Sequence, residues 1–130
     1  MKILVLNSGS SSIKFQLMDT ADRKVLCKGL IERIGLADAI FNYEKAGCPK
    51  TREVRPILDH TTGIKLILDA LIHAECGVLT SLDEIAAAGH RIVHGGERIK
   101  QSVLLCDETL RLIDECTPLA PLHNPANLMG

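Results

Sequence analysis

The sequence predicts an α/β domain built on a mixed β-sheet, and two observations lead to this prediction. Short apolar or alternating segments fill residues 2–55, as expected for strands. From residue 59 onward the apolar residues recur at helical spacing, and a second strand-like segment follows. Strands followed by helix, strand and helix indicate a hairpin meander that continues into crossover units.

The composition fits one ordinary domain. The chain has 130 residues, of which 46% are hydrophobic, so it can bury a substantial core, and 2% aromatic content predicts an aliphatic one. A net charge of −1 argues against nucleic acid as a partner. Five scattered cysteines without a CxxC pair favour reduced thiols over a disulfide frame or a zinc site. No signal-peptide or membrane-length pattern is visible, so we expect a cytoplasmic protein with no membrane partner.

The strand region opens with a predicted hairpin. Residues 2–6 are apolar after Lys2, as expected for a central strand covered on both faces, and residues 13–18 alternate in polarity. The connection, residues 7–12, consists of small polar residues, with Gly9 supplying backbone freedom at its tip. Further strands are predicted over residues 25–31, 39–45 and 51–55.

Helical periodicity begins near Asp59, which can cap the helix as Thr61 also can, and Gly77 can end it. Residues 81–85 predict a helical turn or loop. A core strand is predicted over residues 86–94.

That strand should stop at Gly95-Gly96 and bring Arg91 to its C-terminal end. Asp107 can cap a short helix that runs to Glu115, and Pro125 can open another helix.

The connection 7–12 has the features of an anion cradle. Its small residues expose backbone N–H groups, and its serines add hydroxyl donors. Lys14 supplies a point charge suited to phosphate oxygens, and Asn7 offers an uncharged oxygen for a hydrated Mg²⁺ shared with a nucleotide. An ordinary serine-rich turn with a solvated Lys14 explains the composition equally well. The pattern is neither a Walker A loop nor a GxGxxG fingerprint.

A second candidate segment surrounds Arg91, which can grip a carboxylate or phosphate bidentately. His90 and His94 stand four residues apart on the predicted strand, so they should share a face. Two histidines could bind a metal, but no third ligand is apparent and structural histidines are commoner.

The third candidate is His123, just before the helix that Pro125 opens, where it can bond an anion that also meets the helix N-terminus. Alternatively, Asn124 caps this helix and His123 is incidental. The cysteines are expected to be core residues rather than nucleophiles, because none has an activating histidine at motif spacing.

Three segments together resemble the acetate kinase family, which includes propionate and butyrate kinases. They are VLNSGSSSIKFQL (residues 5–17), GHRIVHGGE (89–97) and APLHNPANL (120–128), and they occur in the family's order. The resemblance implies a ribonuclease H-like domain of the sugar kinase, heat-shock cognate and actin superfamily. It also implies phosphoryl transfer between ATP and a short carboxylate, with Mg²⁺, giving an acyl phosphate and ADP.

The resemblance also assigns roles to individual residues. Asn7 resembles the Mg²⁺-associated residue, and Arg91 the substrate-binding arginine. The remaining implied roles are ATP phosphate contacts for Ser10, Ser12 and Lys14, acyl-pocket positions for Val93 and Leu122, and proximity to the transferring phosphoryl group for His123.

Members of that family continue far beyond this point, and the resemblance places their catalytic aspartate and adenosine pocket there. We therefore expect residues 1–130 to form most of the N-terminal domain of a two-domain kinase, inactive alone, with the second domain absent. A homodimer is expected for a full-length member. Acetate and propionate both remain open as substrates, and a non-catalytic anion-binding remnant of the family is an alternative.

Overall fold

The computed structural model describes Met1–Gly130, the whole chain. Its strands are β1 (Lys2–Ser8), β2 (Ile13–Asp19), β3 (Lys24–Glu32), β4 (Ala39–Lys45), β5 (Thr51–Arg55) and β6 (Ile85–His90). Its helices are α1 (His60–Leu71), α2 (Asp107–Glu115) and α3 (Asn124–Met129), with short 3₁₀ turns at Leu82–Glu84 and Thr117–Leu119. None of the helices has the length and apolar character needed to span a membrane.

All six strands form one mixed sheet in the order β5-β4-β3-β2-β1-β6. Strands β1 to β5 pair antiparallel with their chain neighbours, whereas β6 returns through α1 to pair parallel with β1. The predicted α/β class and mixed sheet are therefore confirmed. Because β1 and β6 are parallel, their C-terminal ends lie at the same end of the sheet.

The two faces of the sheet differ in polarity. Residues paired across strands share a face, so Leu6 with Phe15 and Asn7 with Lys14 mark opposite faces of β1 and β2. We call the face of Leu6 the inner face. It packs against α1 in a core that includes Leu4, Leu6, Ile13, Phe15, Leu17, Ile31, Ile57, Ile67 and Leu71. The prediction that β1 is covered on both faces is wrong, because its outer-face residues Ile3, Val5 and Asn7 are only half-buried.

The few aromatic residues lie together in the core. Phe15, Phe41 and Tyr43 have ring centroids 6.3 Å apart in each pair. Gly29 makes this possible, because a Cβ at Gly29 would lie 2.5 Å from the Phe15 ring. The expectation of an aliphatic core thus fails locally, since the sequence did not indicate that the three rings lie together.

Helix α1 begins as predicted, with the Asp59 side chain accepting a hydrogen bond from the Thr62 N–H at 2.8 Å. It ends at Leu71, earlier than predicted. Gly77 closes a separate turn, in which its N–H donates to the His73 carbonyl at 2.9 Å. Helix α2 has the predicted range, but Cys106 occupies the cap position and Asp107 is the first helical residue.

Strand β6 departs most from the prediction of a core strand over residues 86–94. It ends at His90, and Ala86, Ala87 and Ala88 are exposed. The reason is its place in the sheet. β6 is one of the two edge strands, only β1 pairs with it, and its small apolar residues are not covered by any element of these 130 residues.

Candidate functional site

The first candidate segment is a β1–β2 hairpin with a four-residue connection, Gly9 to Ser12. Asn7 and Ser8 were predicted to lie in this connection, but both are strand residues, paired with Lys14 and Ile13 respectively. The correction matters for the site. Direct pairing places the Asn7 and Lys14 side chains next to each other on the outer face of the sheet.

The connection itself offers free hydrogen-bond donors. The Gly9 N–H closes the loop by donating to the Ser12 carbonyl at 2.8 Å, whereas the N–H groups of Ser10, Ser11 and Ser12 donate to no group of the chain. Gly9 does not adopt a positive φ, so the backbone freedom predicted for it does not take that form. Its role is spatial, because a Cβ there would lie 2.9 Å from the Ser12 hydroxyl oxygen.

Lys14 and Asn7 line a groove of about 610 Å³ on the outer face. Its wall is mixed, with apolar residues beside the polar ones Gln16, Lys28, Asn42, Glu44 and Lys50. Lys28 is paired with Glu44 at 3.9 Å, but Lys14 forms no ion pair in the chain and is exposed. Its ammonium group is therefore available to an anion.

The hairpin is anchored from outside by contacts that the sequence did not indicate. His60, the first residue of α1, has its Nε2 2.6 Å from the Gly9 carbonyl oxygen. The Ser11 carbonyl accepts from the Ile34 N–H at 3.0 Å. These contacts hold two carbonyl groups toward the domain, while the three serine N–H groups remain unpaired.

Arg91 lies next to this hairpin. His90 pairs with Leu6, and the Arg91 N–H continues the pairing by donating to the Leu6 carbonyl at 3.2 Å. Arg91 is exposed, and its guanidinium forms no hydrogen bond or ion pair in the chain. The parallel β1–β6 pair thus brings the predicted arginine beside the Leu6–Asn7 peptide.

His90 and His94 do not share a strand face, contrary to the prediction, because β6 ends at His90. The His90 ring lies between the Ser8 hydroxyl (3.0 Å from Nε2) and the Arg91 carbonyl (2.7 Å from Nδ1). Burial lowers the pKa of His90, and the bond to the Arg91 carbonyl opposes this shift. The His94 Nδ1 accepts from the Gly96 N–H at 2.9 Å. No group of three or more His, Cys, Asp or Glu side chains is placed to hold a metal ion.

The third candidate segment leads into α3. His123 is at the cap position, exposed and without a side-chain hydrogen bond. Asn124 is not the cap. It is the first helical residue, fully buried, and its amide donates to the carbonyls of His94 (2.9 Å) and Ile113 (3.2 Å). Val93 and Leu122 are 42% and 75% exposed, so both can still contact a ligand.

Asn127 joins the three segments. Its Nδ2 donates to the Ser8 carbonyl at 2.8 Å, and its Oδ1 accepts from the Val93 N–H at 2.9 Å. Asn127 is 3% exposed, and its bond to the Ser8 carbonyl is shielded from water. The hairpin, the segment after β6 and α3 consequently meet at the C-terminal ends of β1 and β6.

The cysteines lie outside this site, and none forms a disulfide. Cys27 is buried, as predicted for core residues, and burial raises its pKa. Cys48 and Cys106 are exposed, so the core prediction is wrong for them. A hydrogen bond from the Thr109 side chain lowers the pKa of Cys106.

Comparison with known proteins identifies the family. The model of the acetokinase family matches residues 2–130. The chain belongs to the acetokinase family. It is 55% identical over 130 residues to the acetate kinase of Symbiobacterium thermophilum, covering 100% of this chain and 32% of that protein. It thus spans about a third of the length of this curated relative.

Two solved structures of the family share the fold. Porphyromonas gingivalis acetate kinase is 41% identical with a TM-score of 0.95, and Francisella tularensis propionate kinase is 35% identical with a TM-score of 0.87. In both comparisons 99% of this chain and 32% of the other are covered. The predicted fold class, a mixed α/β sheet of the acetate kinase type, is therefore confirmed.

Proposed function

We propose that this chain forms part of a short-chain carboxylate kinase that transfers a phosphoryl group between ATP and acetate. The arrangement that carries the proposal is the β1–β2 hairpin, with its free serine N–H groups and the Asn7–Lys14 pair, beside Arg91. Donors for phosphate and a cation for a carboxylate lie at the same end of the sheet. Family membership and the names of the relatives support the same reaction.

The hairpin would bind the ATP phosphates. The unpaired N–H groups of Ser10 and Ser12, with their hydroxyls, are donors to phosphate oxygens, and Lys14 contributes a positive charge. In a phosphoryl transfer, most of the catalytic effect comes from positioning and from cations near the dispersed charge. A loop already closed by the Gly9–Ser12 hydrogen bond needs little reordering to bind.

The residues present fit a Mg²⁺ that is carried by the nucleotide. Asn7 offers one neutral oxygen at the strand end, and no carboxylate cluster competes for the ion. Mg²⁺ retains waters and phosphate oxygens as ligands, so a single protein contact suffices. When bound, the ion would neutralise phosphate charge. Asn7 would orient it against the hairpin.

Arg91 would hold the carboxylate, and Val93 and Leu122 would line the small acyl pocket, since both are apolar and accessible. A carboxylate oxygen forms a bond to the γ-phosphorus while the bond from that phosphorus to the ADP oxygen breaks, and the electron pair leaves with ADP. His123, exposed beside α3, would donate a hydrogen bond to the transferring phosphoryl group.

Propionate is the second candidate substrate, because the similar Francisella tularensis protein is a propionate kinase. Val93 and Leu122 leave one side of the proposed pocket open to solvent. The ratio of kcat/KM for acetate and propionate in the product of the complete reading frame decides between the two substrates.

We propose further that residues 1–130 carry only half of the site, as the N-terminal domain of a two-domain kinase. The test compares this chain with the product of the complete reading frame that encodes it, using hydroxylamine to trap acyl phosphate. We expect ATP-dependent product from the complete protein and none from residues 1–130. Turnover by residues 1–130 would overturn the half-site proposal. An inactive complete protein that still binds anions would instead favour the non-catalytic remnant.

A further inference from the structure

Ser8 and His90 form a hydrogen bond that joins the hairpin to the strand end before Arg91. The Ser8 hydroxyl oxygen lies 3.0 Å from His90 Nε2, and Ser8 is 1% exposed. The two residues are 82 positions apart in the sequence, so only the β1–β6 pairing brings them together.

The direction of this bond is fixed by the other ring nitrogen. His90 Nδ1 lies 2.7 Å from the Arg91 carbonyl, which can only accept, so Nδ1 must carry the hydrogen. In the neutral ring Nε2 is then an acceptor, and the Ser8 hydroxyl donates to it. Burial favours this neutral ring by lowering the pKa of His90.

A second bond holds Ser8 through its backbone. Asn127 donates to the Ser8 carbonyl at 2.8 Å and accepts from the Val93 N–H at 2.9 Å. Gly130 lies directly against the Ser8 hydroxyl and the His90 ring, and a Cβ at that position would collide with both. Ser8 is therefore held on both its side chain and its carbonyl by groups that also hold the segment Arg91–Val93.

We propose that Ser8, His90 and Asn127 are positioning residues, which fix the phosphate hairpin relative to Arg91 without contacting either substrate. This inference rests on the proposed function, because the hairpin and Arg91 are taken as the two halves of the site. Each half belongs to a different strand. The Ser8–His90 bond sets how they meet, so it governs alignment for transfer rather than the affinity of each half.

The kinetic test uses the product of the complete reading frame with Ser8→Ala, His90→Phe and the double variant. We expect kcat to fall at least tenfold in each single variant, with the dissociation constants for MgATP and acetate within twofold of the unaltered protein. The double variant should be no slower than His90→Phe, because both changes break the same bond. Additive losses, or losses confined to affinity, would overturn the proposal.

Two further variants guard against a purely structural effect. His90→Gln keeps a polar atom near the position of Nε2 and should recover most of kcat, whereas a merely space-filling role would favour Phe. His73→Gln, an exposed histidine after α1, is the matched control and should leave kcat unchanged. Melting temperatures of all variants are measured alongside, and a lowered melting temperature with unchanged kcat would overturn the proposal.

A nitrogen-15 NMR measurement of the His90 tautomer separates this inference from the proposed function. We expect hydrogen on Nδ1 and a shift of the Nε2 resonance in Ser8→Ala. If the complete protein has no kinase activity but this tautomer is found, the proposed function is refuted and the Ser8–His90 hydrogen bond is retained. Hydrogen on Nε2 would overturn the positioning role whatever the activity.

Discussion

Asn7 and Lys14 are directly paired across β1 and β2, so an amide and an ammonium group leave the sheet side by side on its outer face. The pairing depends on the four-residue connection, because a shift of register by one residue would move Lys14 to the inner face. A nucleotide phosphate with its Mg²⁺ presents both negative oxygens and a cation. The neighbouring positions of an uncharged oxygen and a positive charge suit that combination.

Removal of the Lys14 charge tests whether the hairpin binds the ATP phosphates. Lys14→Ala in the complete protein should raise KM for ATP by about ten- to a hundredfold, the equivalent of one charge-assisted hydrogen bond of roughly 1.5–3 kcal/mol. KM for acetate should stay within twofold. The control is Lys24→Ala, at the other end of the sheet, and an equal effect of both changes would contradict the assignment.

Arg91 should act on the other substrate. Arg91→Ala should raise KM for acetate at least tenfold, because a bidentate pair to the carboxylate is lost, and Arg91→Lys should recover only part of it. Steady-state kinetics with acetate varied provide the measurement. The matched control is Arg98→Ala, whose side chain is 72% exposed and lies 3.7 Å from Glu115. Unchanged kinetics in Arg91→Ala would remove Arg91 from the site.

The close approach of Gly9 to Ser12 predicts that a larger residue at position 9 weakens nucleotide binding without unfolding the domain. Gly9→Ala places a Cβ 2.9 Å from the Ser12 hydroxyl, so this hydroxyl, one of the proposed phosphate donors, must shift. We expect weaker MgATP binding by calorimetry, with the melting temperature lowered by no more than a few degrees. Ser11→Ala changes the same loop at a residue that is not among the proposed phosphate contacts. This variant should bind MgATP as tightly as the unaltered protein does.

Glu84 should make the stability of the fold depend on pH in the acid range. Hydrogen bonds from Lys2 first, and then from Thr80 and Ser81, lower the pKa of Glu84 to about 2. The carboxylate therefore stabilises the fold above pH 4.5, its ordinary pKa, and this contribution is lost as the pH falls through about 2. Glu84→Gln should lower the melting temperature at pH 7, and the difference should vanish near pH 2.

Glu97→Gln is the control for this titration, because Glu97 is exposed and forms no ion pair. Its melting curves should follow those of the unaltered chain from pH 7 to the acid limit. If Glu84→Gln also follows them, the Lys2–Glu84 contact at 2.6 Å does not stabilise the fold.

A substitution in the buried face of α1 should lower the free energy of unfolding strongly. Ile67 is 0% exposed in the core, so Ile67→Ala should destabilise the chain by about 2–5 kcal/mol in urea unfolding, through lost burial and a cavity. Leu58→Ala, at a position 76% exposed, should change stability by no more than about 0.5 kcal/mol. Equal losses at the two positions would contradict the assigned core.

Local sequence signals predicted most elements correctly. The break at residues 46–49 and Pro56 bounded β4 and β5, and the Asp59 cap gave the start of α1, because these features depend on neighbouring residues alone. The prediction failed for residues 86–94. Whether small apolar residues are buried depends on what packs over the strand, and β6 is an edge strand in these 130 residues.

The same limit applies to the histidines. A spacing of four on a presumed strand predicted one shared face for His90 and His94, but the strand ended between them. Nothing in the sequence linked His90 to Ser8 or His60 to Gly9. Each contact joins segments more than 50 residues apart, and only the pairing of β1 with β6 or the packing of α1 brings them together.

The chemistry of the hairpin could be read from the sequence alone: a turn of small residues with serine hydroxyls, followed by a lysine. The sequence also carried the three motifs that place the chain in its family, since motifs are contiguous and need no fold to be seen. That the three motifs meet follows from the fold and not from any local pattern. The parallel β1–β6 pair and the two bonds of Asn127 set the hairpin beside Arg91, and such long-range hydrogen bonds leave no local pattern.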